Sequence, residues 1–230
     1  MNTRYLNLVA RTGFAAFLSG MSITAALASL GAAENFAVLG GSAVTCTGAA
    51  IAGDVGVDLG GPVTQTGCPV SGTVQAGSSR AHFAYEDFLL GYAALSTVPC
   101  DVNLTGQSLI GKSLVPGVYC FDVAVTETGG ELTLVGSPAD TWIFKIGTSG
   151  TGALTGTNFS VAMHGGPLCN DKVFWLAADA VTLTDSVVAG SIMAGSAITV
   201  TRGSLDGQAL AKGAVTLTGA AVCGPPPPLS

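Results

Sequence analysis

The strongest constraint on the fold is a five-residue pattern that recurs every 17 residues near the end of the 230-residue chain. Its three copies are AVTLT at 180–184, AITVT at 197–201 and AVTLT at 214–218. In each copy aliphatic side chains alternate with threonines, which is the period of a β-strand that has one apolar face. A repeat this short has no room for a helix. It therefore predicts one coil of a β-solenoid, in which each copy buries its apolar side by stacking on the next.

Strand patterning extends through most of the chain, with looser copies of the pattern at 43–47, 124–128 and 131–135. Residues 78–96 depart from it, because their apolar side chains follow helical spacing and β-branched residues nearly vanish. We predict a mainly β fold, a β-helix, with one long α-helix packed alongside that buries its aromatic stripe. The apolar positions of this helix are Phe83, Ala84, Phe88, Leu89, Tyr92, Ala93 and Leu95.

Composition excludes two broad classes of protein. Hydrophobic residues make up 48% of the chain and charged residues 10%, whereas a disordered chain needs low hydrophobicity and high charge. Eight Lys and Arg stand against fourteen Asp and Glu, a net charge of −6, whereas a nucleic-acid-binding protein needs a basic face. We therefore expect a folded domain that has no nucleic-acid partner.

The first 28 residues have the features of a secretory signal peptide. Arg4 and Arg11 supply the positive region, residues 12–26 carry no charge, and Ala26 and Ala28 are the small residues that signal peptidase reads. A membrane-anchoring helix is the alternative, although glycine, serine and threonine dilute the apolar run. We predict cleavage after Ala28, which leaves a secreted domain at 29–223, a Pro-rich tail at 224–230, a net charge of −8 and no membrane contact.

All six cysteines follow the proposed cleavage site, and an even number of cysteines in a secreted chain indicates disulfides. Six cysteines allow fifteen connectivities, of which pairing between neighbours along the chain is the simplest. A zinc site is the competing interpretation, but the chain has no Cys-x-x-Cys pair, and His82 and His164 lie far from any cysteine-dense stretch. The neighbouring pairs are Cys46–Cys68, Cys100–Cys120 and Cys169–Cys223.

Residues suited to catalysis are few. Asp54 and Asp58 lie in a Gly-rich turn region, and the neighbouring acids Glu86 and Asp87 fall on the polar side of the predicted helix, so we interpret all four as solvated acids. His164 has no evident partner for general-base chemistry. We therefore predict no catalytic residue, no metal site and no cofactor, and a protein that is not an enzyme.

The threonines of the repeat are the candidate binding residues. If the copies stack in register, Thr182, Thr199 and Thr216 form one file, and neighbours in that file lie ~4.8 Å apart. A second file lies ~6.7 Å away and consists of Thr184, Thr201 and Thr218. Each position presents a methyl group and a hydroxyl group, a regular grid that suits a crystalline ligand. The alternative is that threonine serves only as a good exposed strand residue, but charge is absent from all six positions.

Ordered sequence blocks along nearly the whole mature chain carry a family resemblance. They include LGAAENFAVL at 30–39, LVPGVY at 114–119, DTWIFKI at 140–146 and CNDKVFW at 169–175. On these blocks the chain resembles the type 1 ice-binding proteins, which are secreted antifreeze-type proteins of cold-adapted bacteria, fungi and algae. The resemblance implies a right-handed β-helix of triangular cross-section, with one α-helix alongside and N-terminal coils inserted out of sequential order.

The resemblance also implies that the partner is an ice crystal surface, bound by one flat face of a protein that we expect to be monomeric. The out-of-order coils would bring Thr45 and Thr47 beside the C-terminal threonines. A Thr-Ala/Gly-x-Thr/Asn motif of some family members matches Thr155, Gly156, Thr157 and Asn158. The alternative function is an extracellular adhesion or surface-structural module that binds glycans or a cell surface.

Overall fold

The structure is a computed structural model that describes residues 30–137, 139–163 and 172–224. Several predictions concern residues outside these ranges. They are the signal peptide at 1–28, residues 225–230 of the Pro-rich tail, His164, and the cysteine Cys169 of the third predicted disulfide.

The described residues form twenty β-strands, one α-helix and a short 3-10 helix, Gly31–Asn35, which precedes the first strand. The α-helix, α1, is Ser79–Thr97. The strands are β1 (Phe36–Gly40), β2 (Val44–Thr47), β3 (Ala50–Ala52), β4 (Asp54–Val57), β5 (Val63–Thr66), β6 (Val74–Ala76), β7 (Val102–Asn103), β8 (Ser113–Leu114), β9 (Gly117–Phe121), β10 (Val125–Thr128), β11 (Glu131–Leu134), β12 (Trp142–Ile146), β13 (Leu154–Thr157), β14 (Ser160–Met163), β15 (Val173–Ala177), β16 (Val181–Ala189), β17 (Ser191–Ala194), β18 (Ile198–Asp206), β19 (Ala209–Ala211) and β20 (Val215–Cys223).

The strands stack as three ladders in which every pairing is parallel. The first ladder runs β6-β4-β1-β19-β17-β15-β12-β9-β7. The long strands β16, β18 and β20 each contribute to the other two. Their first halves join a ladder with β10, β13, β2 and β5, and their second halves join one with β8, β11, β14 and β3. The predicted mainly β fold with parallel stacking and one helix is confirmed.

The coils do not follow chain order. Strand β1 lies between β19 and β4, and β2 lies between β20 and β5. The two N-terminal coils therefore stack on the last C-terminal coil, as the family resemblance implied. This arrangement leaves the chain at one end of the stack after β6, whereas β7 begins at the opposite end.

Helix α1 returns the chain from one end of the stack to the other. Its 19 residues span about 28 Å, the height of about six parallel strands at their usual spacing. The Ser78 side chain caps its N-terminus by accepting a hydrogen bond from the Ala81 N–H at 3.2 Å. The helix lies where 78–96 predicts it, because both the cap and the apolar spacing are local signals.

The buried face of α1 is narrower than the sequence predicts. Its fully buried positions, Ala81, Ala84, Phe88, Gly91 and Leu95, follow the spacing of a single stripe against the first ladder. The assignment of two residues to the buried stripe is wrong. Phe83 is 61% exposed and Ala93 is also exposed, because both lie on flanks of the helix that turn away from the strands.

Polar contacts fix α1 at both flanks of the stripe. The hydroxyl of Tyr85 donates to the carbonyl of Lys212 at 3.0 Å, and that of Tyr92 donates to the carbonyl of Ala177 at 2.9 Å. A Tyr hydroxyl against a backbone carbonyl satisfies two groups that the packed helix would otherwise keep from water.

The first turn of α1 is held by two acids that the sequence suggested were simply solvated. Asp54 forms an ion pair with Arg80 at 2.6 Å, and Asp58 contacts Nδ1 of His82 at 2.6 Å. Asp87 likewise accepts the N–H of Ala32 at 2.8 Å. The sequence interpretation of these acids is corrected: they join the helix to β4 and to the segment before β1. Spacing along the chain could not reveal this, since the partners are distant in sequence.

Apolar side chains fill the space between the ladders. Trp142 and Trp175 are fully buried, and the ring of Phe144 stacks on Trp175 with a centroid distance of 4.0 Å and an interplanar angle of 9°. The indole N–H groups donate to the carbonyls of Leu114 and Ala189, at 3.1 Å and 3.0 Å. These contacts make each tryptophan a core residue with its polar atom satisfied, in agreement with the core-like strands in which the sequence places them.

The two ends of the stack are closed differently. At one end, the carboxylate of Glu127, only 1% exposed, accepts hydrogen bonds from the Ser108 hydroxyl at 2.6 Å and the Leu109 N–H at 2.7 Å. It thereby anchors a loop over the core. At the other end, the last coil contains Pro62 and Pro69, which have no N–H to offer to a further strand.

Two of the three predicted disulfides are confirmed. Cys46 is bonded to Cys68, and Cys100 is bonded to Cys120. Cys223 is also disulfide-bonded. The first disulfide joins β2 to the terminal coil, and the second ties the chain that leaves α1 to β9.

We predict that the contact between His82 and Asp58 makes the stability of the helix pH-dependent. The hydrogen bond that His82 donates to the Asp58 carboxylate, with Glu86 contributing, raises the pKa of His82 above its usual value. A raised pKa stabilises the fold fully below the unfolded pKa, and this stabilisation is lost as pH rises through the folded pKa. The melting temperature of the protein should exceed that of His82→Ala by more at about pH 6 than at about pH 9.

The control for this prediction is Asp58→Asn, which removes the acidic partner and should abolish most of the pH dependence. A melting-temperature difference between wild type and His82→Ala that stays constant, or grows as pH rises, would contradict the assignment.

Candidate functional site

Seven parallel strand segments carry the pattern aliphatic–Thr–x–Thr in register and form one continuous surface. They are β10, β13, the first halves of β16, β18 and β20, then β2 and β5. We call their fourteen threonines the Thr face. The first file is Thr126, Thr155, Thr182, Thr199, Thr216, Thr45 and Thr64; the second is Thr128, Thr157, Thr184, Thr201, Thr218, Thr47 and Thr66.

Strand alternation determines which side chains reach this surface. In β16 the threonines are at least partly exposed, whereas Val181 and Leu183 are fully buried in the core. The residue between the two threonines is buried in six of the seven segments, even where it is Cys46 or Glu127. In the terminal segment it is the exposed Gln65, whose side-chain amide donates to the carbonyl of Cys68 at 3.2 Å.

A corner with positive φ follows the second threonine of every segment. Glycine occupies four of these corners, and the other three hold the only non-glycine residues with positive φ in the described part of the chain. Positive φ turns the backbone sharply out of the strand, so each threonine pair ends at the same place. The corner residues are Gly48 (58°), Gly67 (58°), Gly129 (68°), Asn158 (51°), Asp185 (51°), Arg202 (56°) and Gly219 (60°).

The Thr face carries no charged side chain at its surface, and two of the corners beside it hold charged residues. Arg202 forms a two-pronged contact with Asp185, with Nε–Oδ1 at 2.5 Å and Nη2–Oδ2 at 2.6 Å. The hydrogen bond from Arg202 lowers the pKa of Asp185, so both groups stay ionised and paired at neutral pH. The charges therefore neutralise each other at the rim and leave the threonine hydroxyls as the polar groups of the face.

The structure brings nearly all the predicted site residues together. The six threonines of the 17-residue repeat lie in two files, and Thr45 and Thr47 pair with Thr216 and Thr218. Thr155 and Thr157 lie on the other side, next to β16. Asn158 is the exception, since it lies at a corner beside the second file, where its N–H donates to the carbonyl of Thr184 at 2.9 Å.

Four threonines of the face were missed from the sequence. Thr126 and Thr128 begin the face at β10, and Thr64 and Thr66 end it at β5. The signal that finds them is an aliphatic residue followed by Thr-x-Thr and then by a residue that tolerates positive φ, such as Gly, Asn or Asp. This signal does not depend on spacing, whereas the 17-residue period does.

Within residues 30–137, 139–163 and 172–224, no group of three or more His, Cys, Asp or Glu side chains is arranged to hold a metal ion. None of the helices in the described part of the chain has the length and apolarity needed to cross a bilayer.

The model of one protein family matches most of the chain. The family model described as "Ice-binding-like" matches residues 38–223. A protein of Nostoc sp. (strain HG1) named "Ice-binding protein" is 37% identical over 201 residues, which are 84% of this chain and 71% of the relative. Another of the same name, from Flavobacterium frigoris (strain PS1), is 32% identical over 186 residues, covering 73% of this chain and 65% of the relative.

A solved structure is similar along nearly its whole length. It is described as an ice binding protein from an Antarctic Biological Consortium, is 29% identical, and superposes with a TM-score of 0.75. The match covers 85% of this chain and 90% of that one. The family resemblance inferred from the sequence is thus confirmed at the level of the ice-binding-like family.

We predict that the corner glycines are required by backbone conformation alone. At Gly48 an added Cβ would meet no atom within 4 Å, so a substitution has no steric cost apart from its φ of 58°. Gly48→Ala should lower the free energy of unfolding by about 1 kcal/mol in urea titration. Gly48→Asn is the control and should lose less, because asparagine tolerates this region. Equal stability of Gly48→Ala and wild type would contradict the explanation.

Proposed function

Because the chain belongs to the ice-binding-like family, we propose that it binds ice, and that the Thr face is the surface that adsorbs to the crystal. The observation that carries the proposal is the register of the face. Two files of seven threonines run side by side without a charged residue between them at the surface. Seven rungs at the parallel-strand spacing make a surface about 29 Å long.

The mechanism we propose is surface complementarity. Threonine hydroxyls anchor water through hydrogen bonds at a fixed spacing, while the neighbouring methyl groups bind water too weakly to hold a disordered hydration shell. The ordered layer then merges with the crystal lattice. Ice between adsorbed molecules grows with a curved surface that is harder to extend, so crystal growth and recrystallisation slow. No catalytic step or cofactor is involved.

We also propose the handedness and the cross-section of the fold. Three parallel ladders per coil suit a right-handed solenoid of triangular cross-section, with α1 on one side and the Thr face on another. The label type 1 is imprecise for this chain, because type 1 antifreeze proteins are alanine-rich helices of a different family.

We further propose that the protein is secreted and acts as a monomer outside the cell. The basic and apolar segment at 1–28 supports export, and the disulfides Cys46–Cys68 and Cys100–Cys120 suit an oxidising compartment. The net charge of −8 after cleavage supports solubility.

The direct test is inhibition of ice recrystallisation by the oxidised chain from Ser29 onward, compared with an inert protein of similar size. Inhibition at low concentration is the expected result. Failure by a sample shown to be folded would overturn the proposal and direct the search to glycans and cell surfaces, the partners of an adhesion module.

We predict that Thr199→Tyr, at the central rung, disrupts the flat surface without unfolding the protein. Thr199 is partly exposed on β18, so a larger side chain can extend into solvent. Recrystallisation inhibition should then need about tenfold more protein or worse, which corresponds to a loss of about 1.4 kcal/mol in binding. Thr201→Tyr should behave in the same way.

The matched control is Ser204→Tyr, because Ser204 lies on the same strand but in the ladder formed by the second halves of the long strands. This variant should retain activity. If Thr199→Tyr kept full activity while Ser204→Tyr lost it, the adsorbing surface would be the neighbouring ladder and the Thr face would be excluded.

A separate prediction concerns the length of the surface. Thr126→Tyr and Thr64→Tyr alter the outermost rungs, where fewer threonine neighbours are disturbed, so each should weaken inhibition less than Thr199→Tyr does. Measured dose curves that show no effect of either variant would confine the adsorbing surface to the five inner rungs.

A further inference from the structure

Lys145 is a buried cation on the side of the molecule that faces the helix. It lies on β12, in register with Cys120 and Leu176, and these neighbours belong to the apolar cluster under α1. Only 9% of Lys145 is exposed. A charged side chain in this row breaks the pattern of an otherwise apolar interface, and burying a charge is costly unless it is paired.

The ammonium of Lys145 uses one donor within the described residues. It donates to the carbonyl of Val98, the residue that caps the C-terminus of α1, at 2.7 Å. No described carboxylate lies within ion-pair distance of it, and burial lowers the pKa of Lys145. The negative end of the helix dipole favours a cation here, but a carbonyl neither neutralises the charge nor occupies the other two N–H groups.

Lys145 lines an open pocket of about 350 Å³. Its wall includes Tyr92, Ser96, Thr148 and Ala178 beside Lys145. The hydroxyl of Ser96 donates to the carbonyl of Ala93, and that of Thr148 donates to Asp122, both at 2.7 Å. Both hydroxyls thus already donate within the protein. The ammonium of Lys145 has two N–H donors that no described residue accepts.

We propose that this pocket binds a small monoanion, of the class of short-chain carboxylates, through the ammonium of Lys145. A carboxylate supplies the missing negative charge and acceptors for the free N–H groups. The Leu176 and Tyr92 side chains beside it suit a short apolar substituent. The site is separate from the Thr face and does not depend on ice binding.

The test uses the oxidised chain from Ser29 onward and acetate as the probe, with acetamide as its uncharged analogue. Titration followed by amide chemical shifts should give saturable changes at Ser96, Thr148 and Ala178 with acetate. Acetamide should give much weaker changes, because it lacks the charge. Equal responses to acetate and acetamide, or no saturable response to acetate, would overturn the proposal.

A variant tests the contribution of the Lys145 ammonium to acetate binding. Lys145→Gln removes the charge but keeps an N–H that can reach toward Val98, and its acetate affinity should fall about tenfold or more. Lys112→Gln is the matched control, since Lys112 contacts Gln107 away from the pocket, and it should bind acetate as wild type does. Unchanged affinity in a folded Lys145→Gln protein would contradict the proposal. If Lys145→Gln fails to fold, the acetate and acetamide comparison in the wild-type protein still decides.

Discussion

The in-register stacking of parallel strands is the constraint on which the rest of the molecule depends. Within each ladder the strand backbones bond to their neighbours in register, so a residue lies directly over its equivalents in neighbouring coils. A residue type that recurs at one position of each coil therefore forms a file along the stack. Aliphatic files make the core, threonine files make the surface, and the files of the first ladder make the groove that α1 covers. The positive-φ corners keep the files aligned, because every coil turns at the same place.

A stack of this kind also needs its two ends and its apolar outer side to be covered. The buried carboxylate of Glu127 holds a loop over one end, and prolines limit hydrogen bonding at the other. Helix α1 covers the apolar files of the first ladder, and its tyrosines bond to strand carbonyls. The acids Asp54 and Asp58 fix its first turn. Most of these polar contacts outside the Thr face thus serve to cover the ends and one side of the solenoid. Lys145 is a buried charged residue that has no such role.

Much of the fold could be predicted from local signals. The strand pattern, the single helix and the neighbouring cysteine pairs are all encoded by residues close in sequence. The rungs at Thr64 and Thr126 were missed as site residues because Gln65 and Glu127, each between two threonines, interrupt the aliphatic alternation. The next rung of the Thr face after Val125 also lies 29 residues on, at Leu154, which departs from the 17-residue period. Partners that meet only in the folded molecule, such as Asp58 and His82 of the packed helix, carry no sequence signal. Burial on the helix flanks is likewise decided by where the ladder lies, as the exposed Phe83 illustrates.

The out-of-order coils have a consequence for how the chain acquires its structure. Strands β1 and β2 are synthesised early, but their partners β19 and β20 are synthesised last. The N-terminal coils therefore lack a docking edge until nearly the whole chain is available, and their contacts have high sequence separation, which slows folding. A chain still bound to the ribosome can build the middle coils but not the complete molecule. Closure of the stack is a late, post-synthetic event, and its final contacts join the two ends of the domain.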